Sequence, residues 1–289
     1  MRSPQTGLPM PDGILQVDQG NTIWSEYTDA LDDWNNTNTT ILDSSKYNFW
    51  IKEYEPDSNT VLLLHFNEGT GQLVNDASFF SNNGVIGNST LSDQNDPLWT
   101  NGIAGDALIF DGENDYVKVP HSSELNVVDM TIDAWIKVNE TFENDGTVIS
   151  KENNVGSIYW PYRIQVSGVS KVLRMDFTVD NRANDISISS PKSYGDNMWH
   201  HIRVVRIDSL KKVYLYIDTF LKDSITYSGD IDLNEEVVGI GMSPYSNWSY
   251  PFNGIIDEVR ISNIARTSFD HEYTQNPPGQ ITDLFVSDS

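Results

Sequence analysis

The 289-residue chain contains no cysteine, so disulfides, thiolate metal sites and thiol catalysis are all excluded. It is also poor in positive charge. Lys and Arg total 18 against 42 Asp and Glu, a net charge of −24. A field of that sign repels phosphate backbones and anionic lipid, which argues against nucleic acid and membrane-surface partners. No run of roughly 18 apolar residues occurs, so membrane insertion by a helix is not expected. Met1–Gln19 lacks the basic region and apolar core of a secretory signal, which leaves an intracellular protein or a piece of a longer precursor. Helical periodicity is nearly missing, and there is no phosphate loop, Gly-x-Ser-x-Gly or His-Glu-x-x-His motif. The excess carboxylates either keep a surface protein soluble or collect divalent cations.

With 38% hydrophobic and 11% aromatic residues the chain can build a real core, and wholesale disorder is excluded. Short apolar runs with period-2 alternation recur between Asn, Asp, Gly and Ser clusters, the pattern of an all-β sandwich or barrel. Met130, Ile132, Ala134, Ile136 and Val138 form one inward set, and Val213, Leu215 and Ile217 another. Val61–Phe66 reads as a buried strand and Val237–Met242 as a short one. Asn83-Gly84, Asn101-Gly102, Asp111-Gly112 and Asp145-Gly146 supply turns between strands. The continuous unit of this kind spans residues 58–274. Residues 1–57, rich in Asp, Asn and Thr, are either an extension or the tail of a preceding domain. Five N-x-S/T sequons, starting at Asn35, Asn38, Asn88, Asn139 and Asn247, suggest a surface glycoprotein.

In the segment Ile255–Ile261, alternation places Ile255, Asp257, Val259 and Ile261 on one face and Ile256, Glu258 and Arg260 on the other. Three aliphatics mark the first face as the core side, which points Asp257 inward and leaves Glu258 and Arg260 to pair in solvent. A buried carboxylate needs a partner. Either a metal ion holds it, or backbone N–H groups do.

Five motifs in order resemble a laminin-G-like, concanavalin A-type domain over about three quarters of the chain. They are Leu62–Gly69, Asp76–Gly84, Gly105–Pro120 with its Phe-Asp-Gly-x-x-Asp-Tyr phrase, Trp199-His200-His201-Ile202 with Val213–Asp218, and Asn253–Ile261. Where this chain has Asp76–Gly84, the family usually has Asp-Ser-Ser-Gly-Asn-Gly. The resemblance implies two antiparallel sheets packed face to face as a jelly roll. It also implies a non-catalytic module and one structural calcium ion, held by Asp257, a carbonyl of Gly112 or Asp111, and oxygens of Asn67 or Glu68. Calcium accepts such oxygen sets. Pro277–Val286 resembles the linker and first strand of a fibronectin type III domain within residues 275–289, or else pairs with the sandwich edge.

The same sandwich hosts glucanases, whose paired carboxylates sit on one strand as Glu-x-Asp-x-(x)-Glu. Asp230-Ile231-Asp232-Leu233-Asn234-Glu235 lacks the leading Glu and falls where a connecting loop is expected, so catalysis is not expected. His200 and His201 face opposite ways on a strand, cannot share one ion and are structural by resemblance. Two aromatic loops are candidates for stacking on sugar rings: Trp160 and Tyr162 in one, Tyr245, Trp248 and Tyr250 in the other. Trp135, Tyr214 and Tyr216 offer a second surface. The alternative for all of these rings is packing. The expectation is therefore an extracellular or cell-surface recognition module for a glycan or a surface protein, with an architectural spacer as the other outcome.

Overall fold

A computed structural model describes residues 53–268 apart from 88, 90, 142, 154–158 and 245–249. Residues 275–289, including the fibronectin-like segment, and most of 1–57 lie outside the described residues. Tyr54–Thr267 form one compact unit.

The short alternating runs fold as sixteen strands among the described residues, in two antiparallel sheets. Sheet 1 contains β1 (Thr60–Leu64), β4 (Leu98–Asn101), β5 (Asp106–Asp111), β7 (Met130–Val138), β12 (Trp199–Ile207), β13 (Lys212–Ile217), β14 (Phe220–Thr226) and β16 (Asn253–Ser262). Its order is β14-β13-β12-β7-β16-β5-β4, with β1 paired to the second half of β16. Sheet 2 contains β2 (Leu73–Val74), β3 (Gly84–Ile86), β6 (Val117–Val119), β8 (Gly146–Lys151), β9 (Tyr162–Val166), β10 (Leu173–Val179), β11 (Asn184–Ser189) and β15 (Val238–Ile240). Its order is β11-β10-β9-β8-β15-β6-β3-β2.

Both inward sets read from the sequence are in the core. Ile132, Ile136, Leu215 and Ile217 of sheet 1 share one hydrophobic cluster with Ile149, Ile164, Met175 and Val238 of sheet 2. The fold is the two-sheet antiparallel β-sandwich that the resemblance implies, one of the two architectures left open by alternation.

β16 departs from strict alternation. Its register against β7 shifts between Asp257 and Arg260, and Glu258 takes a φ of +50°. This β-bulge lets Ile256, Val259 and Ile261 all join the core, a spacing that a regular strand forbids. Asp257 pairs with Trp135 and so lies on the face away from the core, not with the aliphatics as the sequence suggested. There the Gly102–Ala104 turn covers it. Its Oδ2 accepts N–H bonds from Ile103 at 2.7 Å and Ala104 at 3.2 Å, and its Oδ1 accepts one from Glu258 at 2.7 Å. A side chain at Gly102 would collide with the Asp257 carboxylate and the Asp106 carbonyl. Burial and the neighbouring Glu258 raise the Asp257 carboxyl well above the usual range, and the three N–H bonds oppose that rise.

Glu258 and Arg260 do not pair in solvent. Both are buried. Glu258 accepts from the Tyr54 N–H at 2.8 Å and meets His65 Nδ1 at 2.6 Å. Arg260 reaches Asp133 on β7 at 2.8 Å and stacks over the Tyr54 ring at 4.0 Å. Asp133 also binds Arg203 on β12 at 2.6 Å. Burial alone would raise Asp133, but the two guanidiniums and a hydrogen bond from His201 hold it well below the usual carboxylate range.

β5 ends in the Asp111–Asp115 turn. Asp115 is 5% exposed and accepts the Asp111 N–H at 2.8 Å. Burial, with Asp111 and Asp96 nearby, lifts its pKa from 3.8 to about 6.

Two predictions follow from these carboxylates. Asp257→Ala orphans three backbone donors and should cost about 3 kcal/mol in urea unfolding, at roughly 1–3 kcal/mol for a buried unpaired group. That loss should be the same with calcium and after chelation. A wild-type midpoint that rises with calcium, and an Asp257→Ala midpoint that does not, would place an ion there instead. Asp115 adds a pH signature. Because its folded pKa lies above the unfolded value, its favourable contribution is complete below about pH 4 and is lost as pH rises through about 6. Asp115→Asn should therefore gain stability over the wild type between about pH 4 and pH 8, with denaturant midpoints as the measure. A constant difference would refute the shift.

Candidate functional site

The five residues assigned to calcium are not gathered at one point. Asp257 braces the β4–β5 turn through Ile103 and Ala104. Asn67 braces the same turn from another side, its Oδ1 accepting the Asp106 N–H at 2.7 Å. Glu68 turns away to accept from Asn75 N at 2.8 Å and Asn75 Nδ2 at 3.0 Å. Asp111 and Gly112 lie at the other end of β16, where Asn253 pairs with Asp111 and donates from its Nδ2 to the Asp111 carbonyl at 2.7 Å. Among the described residues no group of three or more His, Cys, Asp and Glu side chains could hold a metal ion. The Asp257 oxygens accept three backbone N–H bonds, the other way of satisfying a buried carboxylate.

The aromatic candidates separate as well. Tyr162 alternates in phase with Ile164 and Val166 on β9, so it is fully buried in the core, and its hydroxyl donates to the Leu125 carbonyl at 3.2 Å. It cannot be a platform. Tyr245 and Trp248 lie outside the described residues. Trp160 and Tyr250 remain. Trp160 is partly buried, Tyr250 is 42% exposed, and the Tyr250 carbonyl accepts the Thr147 N–H at 2.8 Å. Trp135 is buried against His201, with ring centroids 5.3 Å apart, while Tyr214 and Tyr216 stack at 6.3 Å.

Trp160 adjoins a polar surface that the sequence did not disclose, and the Tyr250 backbone meets the Thr147 end of it. Because Tyr162, Ile164 and Val166 face the core, Arg163 and Gln165 face the outer side of sheet 2. Strand register aligns Ser150, Arg163 and Asp176 in one row, and Thr147, Gln165 and Arg174 in the next. Arg163 binds Asp176 at 3.1 Å and approaches Glu152 at 3.6 Å. Arg174 binds Asp176 at 2.9 Å and donates to Gln165 at 2.8 Å, and Gln165 donates to Thr147 at 3.1 Å. Glu152 also accepts from Ser243. Its burial raises the carboxyl, against the pull of Ser243 and Arg163.

The Arg163 guanidinium sits 3.9 Å from the Trp160 ring centroid, a cation–π contact that fixes the indole. Among the described residues, the buried Trp160 Nε1 has no hydrogen-bond partner. Only strand pairing brings Glu152, Arg163 and Asp176 together. The usable sequence signal was the polar character of alternate positions on β9 and β10.

The segment with the glucanase-like spacing is a connecting loop. Asp232 accepts the N–H groups of Asn181 and Arg182, each at 2.7 Å, and so acts as a loop cap. His200 and His201 do point to opposite sides. His200 lies between Asp218 at 2.9 Å and Asp196 at 3.0 Å, and His201 meets the Tyr54 hydroxyl at 2.7 Å.

Solved structures share this two-sheet fold. The crystal structure of the binding domain of Paraclostridial Mosquitocidal Protein 1 aligns with 72% of this chain and 49% of its own, at TM-score 0.56 and 17% identity. Domain 4 of an extracellular arabinanase from Geobacillus stearothermophilus, solved with arabinotriose, aligns with 72% of this chain and 93% of its own, at TM-score 0.51 and 17% identity. Among curated proteins, the non-toxic nonhemagglutinin of Paraclostridium bifermentans is 25% identical over 181 residues, 61% of this chain and 14% of that protein. Adhesion G-protein coupled receptor V1 of Danio rerio is 22% identical over 180 residues, 60% of this chain and 3% of that receptor. The chain thus spans a small fraction of the curated relatives it matches. A family model for the concanavalin A-like lectin/glucanases superfamily, of laminin-G type, matches residues 111–270, and the chain belongs to that family.

Proposed function

We propose that the chain is a non-catalytic, extracellular recognition module that holds a glycan on the outer face of sheet 2, beside Trp160 and Tyr250. The observation that carries this is the unpaired, buried indole N–H of Trp160, set beside a preordered row of charged and amide groups. A buried donor left unmade costs roughly 1–3 kcal/mol, and a ligand oxygen would recover it. Saccharide hydroxyls supply such oxygens densely, and their ring faces suit exposed aromatics such as Tyr250.

Support comes also from the family and from the arabinanase domain solved with arabinotriose. A surface protein is the second reading, to which a fold shared with the binding domain of Paraclostridial Mosquitocidal Protein 1 lends support. Catalysis fits less well: the Asp176 oxygen that meets Arg163 and Arg174 is occupied, and Arg163 also approaches Glu152.

The test is calorimetric titration with arabinotriose, followed by a wider oligosaccharide panel. Trp160→Phe keeps an aromatic ring and removes the N–H, so affinity for a bound sugar should fall roughly tenfold, the equivalent of about 1.4 kcal/mol. Arg174→Ala should reduce it further while leaving the fold intact. A saccharide that binds Trp160→Phe as well as the wild type would place the site elsewhere. Release of reducing sugar would overturn the non-catalytic assignment.

A further inference from the structure

Five N-x-S/T sequons occur in the chain, and recognition on sheet 2 gives none of them a use. Asn139-Glu140-Thr141 is the one whose three residues all lie within the described residues. β7 ends at Val138, and the Asn139 N–H extends its pairing by donating to the Asn253 carbonyl at 3.1 Å. The chain then leaves the sheet in a turn where Glu140 and Thr141 are exposed and Asn139 is half-buried. Asn139 Oδ1 closes that turn, accepting the Thr141 N–H at 3.0 Å and the Thr141 hydroxyl at 2.9 Å.

Both bonds fall on Oδ1, and none involves Nδ2 among the described residues. Other asparagines of the sandwich use that nitrogen: Asn75 on Glu68, Asn82 on the Val61 carbonyl, Asn95 on Asp93 and Asn253 on the Asp111 carbonyl. Nor is Asn139 Nδ2 one of the buried atoms that lack a partner. A nitrogen that is neither bonded nor buried faces water, so a substituent there breaks no protein contact. A sequon marks an acceptor on a surface loop of an exported protein, and this turn presents Asn and Thr side by side on such a loop.

We propose that Asn139 is a modification site, its Nδ2 receiving an oligosaccharide from a polyprenyl-phosphate-linked donor. The Nδ2–C1 bond forms as the C1–O bond to the lipid phosphate breaks. The phosphate leaves with the bonding pair, and one Nδ2 proton passes to a base of the transferase. This rests on the extracellular part of the proposed function, and not on where a bound saccharide sits. A side-chain cap at the end of β7 would use the same Thr141 bonds without any saccharide, so the test must separate the two.

Cells of the source organism are fractionated, and the full chain is purified from each fraction and digested with trypsin. The Val138–Lys151 peptide is then sequenced by electron-transfer fragmentation. In the wild type a saccharide mass is expected on the Asn139 side chain. Thr141→Ser keeps the hydroxyl and should keep the saccharide, whereas Thr141→Ala and Asn139→Gln should lose it entirely. If Thr141 is only a cap, Thr141→Ala lowers the thermal midpoint while the peptide is bare in every variant, and the proposal is overturned. A saccharide on the Thr141 oxygen, or one retained by Thr141→Ala, would overturn it too. A bare peptide from protein at the cell surface or in the medium defeats the modification alone. Protein confined to the cytoplasm defeats the extracellular reading with it.

Discussion

The bulge at Asp257–Glu258 is the constraint on which sheet 1 depends. β16 pairs with β7 along most of its length, but its other edge changes partner, from β5 at Asn253–Ile256 to β1 at Val259–Ser262. The register shift falls at that change. An unbroken strand could not offer Ile256, Val259 and Ile261 to one core, so the bulge and the core packing require each other. The two carboxylates released by the bulge then serve as clamps: Asp257 holds the β4–β5 turn, and Glu258 holds Tyr54 and His65. Asp133 completes the arrangement by joining Arg203 and Arg260 across three strands.

Buried ion pairs of this kind are weak evidence for net stability, because desolvation consumes much of the Coulombic gain. Their effect is on register. Asp133 faces Arg203 on one side and Arg260 on the other. A slip of β12 or β16 by one residue would leave charges buried without partners, at a cost far above that of a misplaced aliphatic. The polar groups on the outer side of sheet 1 therefore do for strand order what a disulfide cannot do in a chain without cysteine.

Alternation and turn residues made the fold legible. Met130–Val138 and Val213–Ile217 lie where period-2 patterning placed them, and Asn101-Gly102 and Asp111-Gly112 do end strands. Alternation failed at Asp257 because a bulge resets the phase and leaves no mark on composition. The same rule could have excluded Tyr162, which is in phase with Ile164 and Val166. Arg163, Asp176 and Glu152 were invisible for another reason: residues 152 to 176 meet only through the β8–β9–β10 register, which pairwise sequence spacing does not encode.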